Sequence, residues 1–271
     1  MNEKSRLRMI RQYGKTALIA GASEGLGAAF AHYLAACGFN LVLVARRESV
    51  LQKLAASLCE QYPVNVHCLK CDLSKPDAVQ YISEKTQEME INLLVYNAAM
   101  SFIGPFLGNT PEDYLRLSQT NMLTPVGLLH HFGEKMVRKG KGAVVLMASL
   151  AGFQGSGYLA MYAATKAFNR VLAESLWYEW RAKGVDVLAC CAGATSTPNY
   201  QNTKPEKSSI LAPRVQSPDE VVQECFRNLG KKPSCITGSG NRFASFFLHR
   251  ILSRKSAVTV MGKNTQKIYR L

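Results

Sequence analysis

Short apolar runs alternate along the chain with stretches whose apolar positions recur every three to four residues. The first pattern suits a strand buried on both faces, the second an amphipathic helix. Strands are predicted at 15–20, 40–45, 64–69, 91–96, 142–148, 185–190 and 234–237. Helices are predicted after the glycine turn at 21–27 and at 48–60, 75–88, 117–139, 157–181 and 217–229. Thr110-Pro111-Glu112 is a helix-opening signature, because Thr caps well and Pro suits the first turn. Near-continuous apolar strands separated by helices argue for a parallel α/β sheet covered on both faces. Residues 199–217 turn to Asn, Ser, Lys and Pro, and read as a segment over the crevice that could serve as a substrate lid.

At 271 residues the chain fits a single large domain. No apolar run is long enough to span a membrane, and the start lacks the separate apolar region of a signal peptide. Eight cysteines without a second close pair or a histidine cluster read as reduced thiols of a cytoplasmic chain, with no metal site. The formal charge of +14 sits at the ends: residues 1–15 carry +4, residues 241–271 carry +7, and the rest only +3. That distribution argues against nucleic acid as a partner of the whole fold. Residues 1–13 read as a basic extension and 241–271 as a second, basic and apolar with helical spacing. The latter suits packing on the domain, a subunit interface or peripheral contact with a membrane.

Two stretches suggest chemistry. GASEGLG follows the first strand and opens a helix, so Gly21, Gly25 and Gly27 allow a tight turn and close approach to a pyrophosphate at a helix N-terminus. Arg46 and Arg47 end the second strand, where arginine pairs with a 2′-phosphate and a carboxylate would prefer a free ribose hydroxyl. Glu24 is a poor neighbour for that phosphate. Asp72, at the end of the third strand, suits either an adenine amine or a helix cap. On the helix at 157–181, Tyr162 and Lys166 share a face, and an ammonium beside a phenol favours the phenolate. Tyr158 has the same spacing to Tyr162, so the residues alone leave the choice of tyrosine open.

These motifs together resemble the short-chain dehydrogenase/reductase family over about residues 14–240. The glycine motif appears as Ala20 to Gly27 with alanine in place of threonine, and the Asn-Asn-Ala-Gly motif as Tyr96-Asn97-Ala98-Ala99. The active-site asparagine, serine and Tyr-x-x-x-Lys pair match Asn121, Ser149, Tyr162 and Lys166, and the Ser-to-Tyr gap selects Tyr162. Ala192-Gly193-Ala194-Thr195-Ser196-Thr197 stands for Pro-Gly-x-x-x-Thr. The resemblance implies a Rossmann-like doubly wound sheet of about seven strands in one domain, with 198–217 as the substrate-loop region. It implies NADP(H) held by Gly21, Ser23, Glu24, Gly25, Leu26, Gly27, Arg46, Arg47, Asp72, Leu73, Asn97, Ala98, Ala99, Tyr162, Lys166, Gly193, Thr195 and Thr197.

The expected reaction is ketone–alcohol interconversion. Tyr162 exchanges the proton, Ser149 holds the substrate oxygen, Lys166 lowers the tyrosine pKa, and Asn121 holds a water that links Lys166 to solvent. Leu150, Phe153, Tyr158, Met100, Phe102 and Ile103 suggest a wall for an apolar ketone, either a 3-oxoacyl chain or a steroid. A homodimer or homotetramer through the helices at 117–139 and 157–181 is expected. The alternative from another class is an NADP-binding scaffold or sensor without turnover.

Overall fold

The computed structural model describes residues 3–203 and 215–271. Its seven strands are β1 (Thr16–Ala20), β2 (Asn40–Ala45), β3 (Val66–Lys70), β4 (Leu93–Tyr96), β5 (Gly142–Ser149), β6 (Val185–Ala192) and β7 (Ser234–Ile236). They form one sheet in the order β3-β2-β1-β4-β5-β6-β7, with every neighbouring pair parallel. The expected doubly wound α/β architecture is present. Alternate residues of each strand serve opposite faces. In β1, Ala17 and Ile19 join one apolar layer, Leu18 and Ala20 the other.

The first layer is completed by α2 (Gly25–Ala36), α3 (Glu48–Gln61) and α9 (Pro218–Asn228), through Phe30, Leu34, Leu51, Leu58 and Val221. The second is completed by α4 (Ala78–Lys85), α6 (Thr124–Lys139) and α7 (Ala160–Arg181), through Ile82, Leu128, Phe132 and Ala173. The N-terminal residues form α1 (Glu3–Tyr13). Met9 and Ile10 pack on the first layer, and the buried Tyr13 donates to Asp186 of β6 at 2.9 Å. Strand order reverses between β1 and β4, which opens a crevice at the carboxyl ends of the strands.

Two predicted helices differ from the structure. The helix expected at 117–139 is instead α5 (Pro111–Ser118), a π-turn at Gln119–Leu123, and α6. The helix expected from 157 begins at Ala160, because Tyr158 adopts φ +63°, outside helical space. The short α8 (Pro198–Asn202) begins the substrate-loop region, of which 204–214 lie outside the described residues. The C-terminal stretch forms two helices, α10 (Ser239–Arg250) and α11 (Arg254–Tyr269).

Candidate active site

The crevice is a cleft of about 520 Å³, within the size range of small-molecule sites. Of the site residues predicted from sequence, only Gly27 and Asn121 do not line it. Gly27 has a packing role. A Cβ at this position would lie 1.9 Å from the Gly21 carbonyl oxygen, so only glycine lets α2 start this close to the turn. Glu24 stands at the N-cap of α2, and its side chain makes no capping bond. The first-turn N–H groups therefore present to the cleft without a side-chain cap, together with the positive end of the helix. This is a cradle for a pyrophosphate.

At the ribose end, Arg46 and Arg47 are exposed. Arg47 lies 2.6 Å from the Glu24 carboxylate and donates to Ser23 Oγ at 3.2 Å. The misgiving about Glu24 is answered by this pair, which cancels the carboxylate's charge and leaves Arg46 as the cation directed at an anionic group. Asp72 caps no helix. Its Oδ1 accepts from the backbone N–H and the hydroxyl of Ser74 at 3.0 and 2.8 Å. Burial pushes its carboxyl up, but the Ser74 bonds and nearby Arg46 outweigh that and hold it below its ordinary value. Leu73 accepts from Thr124 through its carbonyl. Asn97 donates to the Gly21 carbonyl at 2.8 Å, which ties the end of β4 to the glycine turn and keeps Ala98 and Ala99 on the cleft wall. Gly193, Thr195 and Thr197 line the wall after β6, where Thr195 Oγ1 donates to the Gly193 carbonyl and Thr197 caps α8.

Ser149, Tyr162 and Lys166 meet in the middle of the cleft. Ser149 Oγ accepts from the N–H of Ala151 at 3.2 Å, which leaves its own O–H to donate. After it, a short 3₁₀ turn (Leu150–Phe153) presses onto α7. A Cβ on the buried Gly152 would lie 2.7 Å from the carbonyl carbon of Lys166 and the nitrogen of Ala167. Tyr158 points elsewhere and accepts from Gln266 at 2.6 Å, so the structure, like the Ser-to-Tyr gap, places Tyr162 at the centre.

The electrostatics differ from expectation. Burial raises the Tyr162 phenol above its ordinary pKa; Ser149 pulls it back down and the Tyr269 phenol adds to the rise. Lys166 is buried, donates to the Met147 carbonyl at 2.8 Å, and lies 5.7 Å from the centre of the Tyr162 ring. Burial pushes its ammonium down to about 8. The shift of the phenol is set here by burial, Ser149 and Tyr269, while the Lys166 ammonium is turned to a backbone carbonyl.

The side-chain amide of Asn121 is occupied within the fold. Its Oδ1 accepts from the N–H of Met100 at 2.8 Å, and Nδ2 donates to the Met100 carbonyl at 2.9 Å and to Thr165 Oγ1 at 3.0 Å. Both amide hydrogens are committed, so the side chain braces the loop after β4 against α7 and has no N–H to give a water. Its backbone carbonyl is different, since Pro125, four residues on, has no N–H to offer it.

The substrate side was only partly foreseen. Met100 and Ile103 line the cleft, whereas Phe153 packs on Arg170 and His249 and Phe102 on Tyr114. Leu150 and Tyr158 do not line it either. Tyr200, Thr203 and Tyr269 do. Tyr269 comes from the last turn of α11, whose inward positions at 257, 261, 265 and 268 keep helical spacing. That spacing was the available signal.

Comparison with known proteins agrees with this fold. A sequence model of the short chain dehydrogenase family matches residues 15–208. Over 252 residues the chain is 30% identical to a 7beta-hydroxysteroid dehydrogenase of Clostridium sardiniense, covering 93% of this chain and 96% of that protein. A solved structure from a study of 7beta-hydroxysteroid dehydrogenase stereoselectivity superposes with a TM-score of 0.88 at 29% identity, over 93% and 98% of the two chains. A short-chain dehydrogenase from Sphingobium yanoikuyae, solved in complex with NADPH, gives a TM-score of 0.75 at 31% identity, over 86% and 92%.

Proposed function

The chain belongs to the short-chain dehydrogenase family, and from that premise we propose that it is an NADP(H)-dependent oxidoreductase interconverting a ketone and a secondary alcohol. The observation that carries this reading is one cleft lined at one end by an uncapped helix N-terminus and an exposed Arg46, and at its centre by Ser149, Tyr162 and Lys166. The residues fit the cofactor: the glycine turn and α2 take the pyrophosphate, Arg46 the 2′-phosphate, and Asn97 to Ala99 and Gly193 to Thr197 flank the nicotinamide. Bound there, the reduced cofactor supplies a hydride equivalent to the carbonyl carbon.

The protein's part is proton control. Ser149 donates to the carbonyl oxygen and orients it. Tyr162, which its raised pKa keeps protonated at neutral pH, gives its proton to that oxygen as charge develops on it. Lys166 holds the ribose and resupplies the proton. Being buried, it needs a relay, and the Asn121 carbonyl is the acceptor for a water linking it to solvent. Met100, Ile103, Leu159 and Tyr269 give the substrate end an apolar and aromatic wall, suited to a steroid-like or 3-oxoacyl ketone. The hydroxysteroid relatives favour the former.

The protein is cytoplasmic in this reading; no described helix is long and apolar enough to cross a membrane. It assembles as a homodimer or homotetramer through α5, the π-turn, α6 and α7, where Leu115, Leu123, Val126, Val171 and Tyr178 are exposed. Any contact with a membrane surface is made by the C-terminal helices.

A screen of ketones and alcohols with both nicotinamide cofactors tests the proposal. NADPH-dependent turnover of bulky apolar ketones is expected, lost in Tyr162→Phe while NADPH binding persists. Binding without turnover across the whole panel would return the protein to the scaffold class.

A further inference from the structure

Helix α10 has the reverse polarity of a helix that only covers a core. Its fully buried positions are polar. Asn241 and Ser245 are buried, and Asn241 donates to the Thr237 carbonyl at 2.8 Å. Its bulky apolar residues face outward: Phe243 is 73% exposed, Phe246 60%, Phe247 46%, and Ile251 at the C-cap 60%. Positions 243, 246, 247 and 250 share one stripe, which Ile251 extends, and the exposed Arg254 and Lys255 follow. The helix is firmly held. Arg242 pairs with Glu224, His249 packs on Phe153 with ring centres 5.5 Å apart, and Arg254 donates to the Phe153 carbonyl at 3.2 Å.

Charge identifies the occupant. No Asp or Glu follows Glu224 in the sequence, and Glu224 is itself paired with Arg242. Along the chain the aromatic stripe is thus followed by Arg250, Arg254 and Lys255, with no carboxylate side chain in this stretch. A second copy seated on the same stripe about a twofold axis would set these cations against each other. The phenylalanine and isoleucine side chains of the stripe carry no hydrogen-bonding group such as Tyr or Trp would bring to a protein interface. Rings that enter the acyl boundary, beside guanidinium and ammonium groups that meet lipid phosphates, are the features of an interfacial helix. We infer that the outer face of α10 docks the protein on an anionic lipid bilayer. Since α11 runs from there to Tyr269 in the cleft wall, docking delivers an apolar substrate to the site. That consequence rests on the proposed ketone chemistry; the docking itself does not.

The test is co-sedimentation of the full chain with vesicles of phosphatidylcholine alone or mixed with phosphatidylglycerol. The wild type is expected to pellet with the mixed vesicles and to be released by high salt. Phe246→Ser/Phe247→Ser and Arg250→Glu/Lys255→Glu should each weaken partitioning about tenfold or more, with NADPH affinity and circular dichroism unchanged. Failure to pellet with anionic vesicles overturns the inference, as does equal binding to neutral ones. So does a loss of oligomer mass in the phenylalanine variant without vesicle binding by the wild type, which would give the stripe to a second copy. Capture of an acidic protein in place of vesicles overturns it too. Vesicle binding by a protein that does not turn over ketones would leave the docking standing and the oxidoreductase reading refuted.

Discussion

The guanidinium of Arg47 lies 2.6 Å from the carboxylate of Glu24 at the nucleotide end of the cleft. Both groups are about half exposed, so the pair contributes little to folding. Its consequence is electrostatic: it hides a negative charge that a 2′-phosphate would otherwise meet. Arg46→Ala is expected to raise the KM for NADPH roughly 10–100-fold and to leave NADH nearly unchanged. Arg47→Ala should also weaken NADPH, by exposing Glu24, and adding Glu24→Gln should recover most of that loss. Steady-state KM values for the two single variants and the double variant decide the matter, and an additive double variant would remove the masking role.

Lys166 gives a pH signature in stability. Its folded pKa is about 8 against an ordinary 10.5, so between these values the unfolded chain holds a proton that the folded chain has released. Stability from this group therefore rises with pH through that window. The cost of burying the ammonium is complete below pH 8, on the order of 3 kcal/mol, and absent above about 10.5. Tyr162 acts in the opposite direction, but only above its ordinary value of 10, because its pKa is raised. From about pH 7.5 to about pH 9.5 the wild type should gain roughly 2 kcal/mol relative to Lys166→Met. Denaturant midpoints at the two pH values measure this, and a constant difference would mean that the ammonium is not depressed.

The buried Asn121 amide carries three hydrogen bonds between the loop after β4 and α7. Asn121→Ala strands the N–H and C=O of Met100 and should cost about 2–4 kcal/mol. Thr165→Val removes one of these bonds and the Thr165 bond to the Tyr162 carbonyl, and should cost about 1–2 kcal/mol. Chemical denaturation ranks the two, and the reverse order would contradict the bracing role.

Strands and the residues at their ends were legible in the sequence because burial on both faces leaves almost no polar letters between Leu41 and Ala45 or between Ala143 and Ala148. Ser149, Tyr162 and Lys166 could be read because local spacing sets their geometry. The π-turn could not. One extra residue in a helical turn leaves the apolar spacing on either side intact, so 117–139 reads as unbroken helix. Two of the three contacts of Asn121 and the contact of Lys166 are to backbone groups of Met100 and Met147, and backbone groups leave no mark in composition. The weakening of Lys166 is a burial effect, and burial belongs to the folded chain.

Tyr269 reaches the cleft from the far end of the chain, within electrostatic reach of both Tyr162 and Tyr200. Removing its ring should open the substrate side without touching the proton donors. Tyr269→Ala is expected to raise the KM for a bulky apolar ketone roughly 10–100-fold, as expected for the loss of one buried aromatic contact, with kcat on a small ketone little changed. Tyr269→Phe should stay near the wild type. An equal loss on small and bulky ketones would assign the residue to chemistry or to folding instead.

The bare position at residue 152 has a wider consequence. The peptide of the turn after β5 rests directly on the peptide joining residues 166 and 167, with no side chain between them. Two rigid planes in contact leave no slack, so the gap between the hydroxyl at 149 and the phenol at 162 is gauged by main chain alone. Substitutions in the surrounding wall can reshape what the protein accepts while that gauge, and the reaction it sets, stays fixed.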